Sequence, residues 1–92
     1  MGKKGRFTSV WDAIEDDPVR QENLKLRSAL MIEIAERIRE EGLTQKQASE
    51  VLHITQPRVS ALLNGKINAF RLDSLVDMAH RLGMHVSINV AA

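Results

Sequence analysis

The chain has 92 residues, 43% of them apolar and 27% charged, with five glycines, two prolines and no cysteine. That length allows one domain burying about two-thirds of its surface, and the composition is that of a folded globular chain, which excludes multi-domain, disordered and collagen-like readings. Without thiols there is no disulfide framework, thiolate zinc finger or cysteine nucleophile, and with no apolar run near the roughly 20 residues that span a bilayer the expectation is a soluble, cytoplasmic protein without a membrane partner.

The net charge of +1 hides an uneven distribution. Residues 1–6 hold Lys3, Lys4 and Arg6 and nothing to bury, so they read as a mobile basic arm. An acidic stretch follows, with Asp12, Glu15, Asp16 and Asp17 against Arg20, and positive charge returns with Lys46, Arg58 and Lys66. Such asymmetry permits a local nucleic-acid-binding face, although a pI of 8.2 is below the strongly basic range that marks one alone.

Phe7, Val10, Trp11 and Ile14 recur at i, i+3, i+4 and i+7 behind a possible Ser9 cap, which predicts a short amphipathic helix. Being too short to stand alone, it must dock on this domain or on another molecule. Residues 1–17 are therefore read as an arm plus this short helix, and residues 18–92 as the main domain. Asp17-Pro18 pairs a capping aspartate with a proline suited to a first helical position, and predicts a long helix ending at Glu41-Gly42 with Leu30, Met31, Ile34, Ala35 and Ile38 on its buried face. Thr44 and Gln47 form a capping-box pattern opening a second helix that buries Ala48, Val51 and Leu52. After a tight turn at residues 53–55, Pro57 starts a third helix, with Gln56 pushed out of the α region, and Asn64-Gly65 ends it.

A loop over residues 66–70 precedes a helix carrying Leu72, Leu75, Val76, Ala79 and Leu82, weakly capped by Arg71 and stopped by Gly83. Residues 84–90 then alternate apolar and polar, with Met84, Val86, Ile88 and Val90 on one side, which predicts a strand. A lone strand leaves its backbone unpaired, so this one is expected to pair with its own copy across a homodimer. The fold class expected is all-α, about five helices with a short C-terminal β-strand.

Residues 45–66 carry most of the functional information. Two short helices joined by a brief turn are locked at a steep angle by Val51, Leu52, Ile54, Val59 and Leu62, which frees the outer side of the second helix for a DNA major groove about 12 Å wide. Gln45, Gln56, Arg58, Ala61 and Asn64 lie outside that lock. Glutamine pairs bidentately with adenine and arginine with guanine, and helix N-termini near Gln45 and Gln56 offer backbone donors to phosphates.

The stretch Leu43-Thr44-Gln45-Lys46-Gln47-Ala48-Ser49-Glu50-Val51-Leu52-His53-Ile54-Thr55-Gln56-Pro57-Arg58-Val59-Ser60-Ala61-Leu62-Leu63-Asn64-Gly65-Lys66 resembles the helix-turn-helix of the phage lambda repressor/Cro class, the XRE family. The resemblance implies a lambda-repressor-like helical bundle and a double-stranded DNA operator as partner. It implies a phosphate contact for Gln45, base-facing positions for Gln56, Pro57 and Ala61, and backbone-flanking positions for Asn64, Gly65 and Lys66. Arg58 joins the set on its chemistry, so the candidate DNA-binding residues are Thr44, Gln45, Thr55, Gln56, Pro57, Arg58, Ser60, Ala61, Asn64 and Lys66. The sequence departs from the family pattern at His53, which stands where the turn usually has a glycine of positive φ, and at Pro57 and Ala61, which replace polar base readers and shift part of the discrimination toward DNA shape.

The Phe7-to-Ile14 segment, the long helix, Gln56-Pro57-Arg58-Val59-Ser60 and the closing strand together are similar to small HigA-type antitoxins. That similarity implies a dimeric repressor of its own operon that also neutralises a ribosome-dependent RNase toxin of the HigB/RelE type, with Phe7, Val10, Trp11 and Ile14 as toxin-binding residues. Such toxins are typically basic, which suits the acidic residues 12–17. The alternative reading is a protein-binding module for which toxin neutralisation comes first and DNA second; a structural or RNA-associated helical module is a third. No catalytic constellation is evident, since the serines lack a paired histidine and acid and no glycine-rich phosphate loop occurs. His53, His80 and His85 lack metal-ligand spacing, so neither a metal nor a cofactor is expected.

Overall fold

A computed structural model describes residues 17–92. Within them lie four α-helices and one 3-10 turn: α1 (Pro18–Glu40), α2 (Gln45–Leu52), α3 (Gln56–Leu63), the 3-10 turn (Ile67–Ala69) and α4 (Leu72–Arg81). The arm and the helix expected around Phe7, Val10, Trp11 and Ile14 lie outside the described residues.

Each helix begins where the local chemistry satisfies its free N–H groups. The Val19 N–H donates to the Asp17 carboxylate at 2.9 Å, with Pro18 in the first position. Thr44 and Gln47 close the capping box in both directions, the Gln47 N–H donating to the Thr44 hydroxyl oxygen at 3.1 Å and the Thr44 N–H to the Gln47 side-chain carbonyl at 2.9 Å. Thr55 caps α3 by accepting from the Arg58 N–H at 3.4 Å. Helix α4 starts without a side-chain cap at Arg71, and Asp73 in its first turn supplies the favourable negative charge.

The ends share one device. Behind α1, α3 and α4 a glycine adopts positive φ, and the next residue's N–H reaches back to a carbonyl of the last turn, as in Lys66 to Ala61 at 3.0 Å. Behind α2 the same place is taken by His53 at φ 58°, with the Ile54 N–H bonded to the Ser49 carbonyl at 3.1 Å. The turn therefore has the left-handed geometry that its family position implies, built on a residue that carries a Cβ.

One continuous core joins all the described helices. Ile34, Leu52, Val59, Leu62, Phe70 and Leu75 are its fully buried large side chains, with Met31, Ile38, Ala48, Met78, Ala79 and Leu82 around them. The long α1 packs on α4, while α2 packs on α3, and that second pairing sets the outer face of α3 away from the core.

Several expectations are corrected. Val51 is 37% exposed, because Ala48 and Leu52 face the core and position 51 lies about 80° round the helix from their midpoint. On α4 the inward stripe is Leu75, Met78, Ala79 and Leu82, leaving Val76 on the surface. Phe70, expected in a loop, is 1% exposed and belongs to the core. Gln56 is the first residue of α3 rather than outside it, since Pro57 in the second position has no preceding helical turn to clash with. The C-terminal strand is absent among the described residues: residues 84–92 follow no ladder, because a single chain offers this segment no partner strand. Met84 packs against the core, whereas Val86, Ile88 and Val90 are exposed.

Candidate nucleic-acid interface

The sequence candidates fall on the α2–turn–α3 unit and its flanks. Thr44, Gln45, Thr55, Gln56, Pro57, Asn64 and Lys66 are exposed, and Arg58, Ser60 and Ala61 are half-buried. Val59 and Leu62 anchor α3 from beneath and Ala61 and Leu63 pack partly against the core, which leaves Gln56, Pro57, Ser60 and the following Asn64 toward the outer face.

The two helix N-termini differ in what they offer an anion. In α2 the capping box satisfies Gln47 and leaves the Gln45 and Lys46 N–H groups open beside the Lys46 charge. In α3 the Thr55 hydroxyl takes the Arg58 N–H and Pro57 has none, so Gln56 alone presents an open N–H. Open main-chain donors for an anion are thus more numerous on α2, whereas α3 offers chiefly side chains. Thr44 and Thr55 act first as caps, each with its oxygen already accepting from the backbone.

Two side-chain contacts on α3 bear on the candidate set, the first an i, i+4 pair and the second not legible in the sequence. The Asn64 side-chain N–H donates to the Ser60 hydroxyl at 3.3 Å, tying two candidate contacts along one edge of the helix. The Arg58 guanidinium lies over the Phe70 ring, its central carbon 4.6 Å from the ring centroid, within cation–π range. Phe70 is positioned in turn from α1, where Arg27 donates through Nη1 to the carbonyls of Phe70 at 3.0 Å and Ile67 at 3.4 Å. An i, i+4 or capping signal finds neighbours along a helix, and neither Arg27 nor Phe70 is such a neighbour of Arg58.

Among the described residues no group of three or more His, Asp or Glu is placed to hold a metal ion, and no helix is long and apolar enough to cross a membrane.

Comparison with known proteins agrees with this geometry. Among solved structures the chain is similar to one described as an XRE family transcriptional regulator, with a TM-score of 0.74 and 29% identity over 79% of this chain and 82% of that one. No curated protein gives a significant match. A family model described as a helix-turn-helix domain matches residues 13–91. With the family match spanning nearly its whole length and the capped α2–turn–α3 unit at its centre, the chain belongs to the helix-turn-helix domain family.

Proposed function

We propose that this protein is a sequence-specific DNA-binding regulator of transcription, acting as a homodimeric repressor. The observation that carries the reading is the outer face of α3, held on Val59 and Leu62, flanked by the open N–H groups of α2 and by Lys66. Two copies place their α3 helices in successive major grooves about 34 Å apart on a pseudo-palindromic operator and occlude a promoter. Gln45 and Lys66 anchor phosphates, Gln56 and Ser60 reach bases or phosphates, and Arg58 adds a charge-assisted contact. The exposed Val86, Ile88 and Val90 support self-pairing of the tail across the dimer.

Selection of a random duplex library on the purified protein tests this reading. A two-fold symmetric motif is expected, with Arg58→Ala weakening its binding by about 1–3 kcal/mol. Failure to enrich any motif would remove the operator-binding role.

The finer reading is an antitoxin that represses its own operon and neutralises a basic RNase toxin. It is supported by the apolar Phe7, Val10, Trp11 and Ile14 beside the carboxylates of Asp12, Glu15, Asp16 and Asp17. A chain lacking residues 1–17 should lose toxin binding while holding its operator affinity within a few fold; neutralisation by the truncated chain would sink the toxin-hook role.

A further inference from the structure

Arg58 is the one charged side chain among the candidate contacts that is half-buried, and its guanidinium has no hydrogen-bonding or carboxylate partner among the described residues. What holds it is the Phe70 ring, itself 1% exposed. That ring follows the 3-10 turn, and Arg27 on α1 fixes the turn by bonding the carbonyl of Ile67, its first residue, and that of Phe70 just after it. The position of Arg58 is thus dictated from three separate elements. A cation–π contact holds the guanidinium through its charge rather than through an acceptor. The ring contact therefore orders the side chain without an acceptor taking up its donors, whereas an arginine held by nothing on a helix surface loses its rotamer freedom at the moment of binding.

We infer that Phe70 is a positioning residue for DNA recognition, its ring holding the Arg58 guanidinium so that its N–H donors are presented to a phosphate or base edge, with Arg27 fixing the ring from behind. This deepens the proposed role of Arg58 as a DNA contact and rests on it. Phe70 itself touches no DNA.

A double-mutant cycle separates this role from simple core packing. Operator affinity is measured by fluorescence anisotropy for the wild type, Phe70→Leu, Arg58→Ala and the double variant, each checked for native helicity by circular dichroism. Phe70→Leu should weaken binding about five- to tenfold when Arg58 is present and less than about twofold in the Arg58→Ala background. An equal loss in both backgrounds would mean that the ring acts through the fold, overturning the inference and leaving the Arg58 contact standing. No loss from Arg58→Ala alone would remove the contact and the inference together.

A measurement on the unaltered protein covers the case in which Phe70→Leu does not fold. The Arg58 side-chain protons should show an upfield ring-current shift by NMR, retained when operator DNA is added. Loss of that shift on DNA binding would show that Arg58 leaves the ring to reach its target, and would refute positioning by Phe70.

Discussion

Replacing His53 with glycine should make the protein more stable. His53 holds φ 58° and ψ 42°, a conformation in which the Cβ of an L-residue crowds the following carbonyl at a cost of about 1–2 kcal/mol. Glycine removes that cost and adds about 0.5–1 kcal/mol of backbone entropy lost on folding. The difference favours His53→Gly by about 0.5–1 kcal/mol, and because the histidine side chain is exposed, little packing is given up. For a domain of this size a gain of that order raises Tm by roughly 2–8 °C. Thermal unfolding followed by circular dichroism reads the shift, with Gly65→Ala as the opposite control. Gly65 sits at φ 73° and an added Cβ there meets no atom within 4 Å, so its loss of stability, about 1 kcal/mol, comes from the backbone alone. An unchanged or lowered Tm for His53→Gly, alongside the expected fall for Gly65→Ala, would refute the claim that the α2–α3 turn stores strain. Operator affinity should be the same before and after the change, since His53 is outside the contact set.

The two apolar neighbours near the end of α2 should behave oppositely: Leu52→Ala removes a fully buried side chain and should cost about 2–5 kcal/mol in urea unfolding, whereas Val51→Ala should cost less than about 1 kcal/mol. Arg27→Met keeps the aliphatic stem and removes two charge-assisted bonds to the 3-10 turn, so about 1–2 kcal/mol of stability should be lost and the Phe70 amide should exchange faster with solvent. Ending the chain after His85 leaves Met84 on the core and removes Val86, Ile88 and Val90; light scattering should then report a monomer, and a persistent dimer would place the interface elsewhere.

Helix starts were readable because their cause is local. Asp17-Pro18 and the Thr44–Gln47 box each act within one turn, and the sequence spacing determines them. Helix phase was less readable in short elements rich in apolar residues: α2 has Ala48, Val51 and Leu52 within eight residues, and the choice among them depends on where α3 lies. Phe70 could not be placed by periodicity, because it follows a short mixed loop rather than a helical repeat and is buried by tertiary contacts with elements far away in sequence. The alternation over residues 84–90 is a real pattern, but the hydrogen-bonding partner it calls for is not supplied by the described residues of one chain. Of the candidate site, the exposed positions Gln45, Gln56 and Asn64 followed from lying off the apolar lock, while Pro57 and Lys66, also exposed, were reached only through the family resemblance. The partial burial of Arg58 did not, since its cause is the ring beneath it.

The α3 helix is closed at both ends, by Thr55 at its start and the Lys66-to-Ala61 bond at its finish, and carries a proline in its first turn. It has little left to fold when it meets a duplex. Association should therefore proceed as rigid docking, with a heat-capacity change set by the area the two surfaces cover rather than by coupled folding of the helix. A duplex that must bend or narrow to fit would then bear most of the deformation itself, so the stiffness of its central base steps becomes part of what the protein distinguishes.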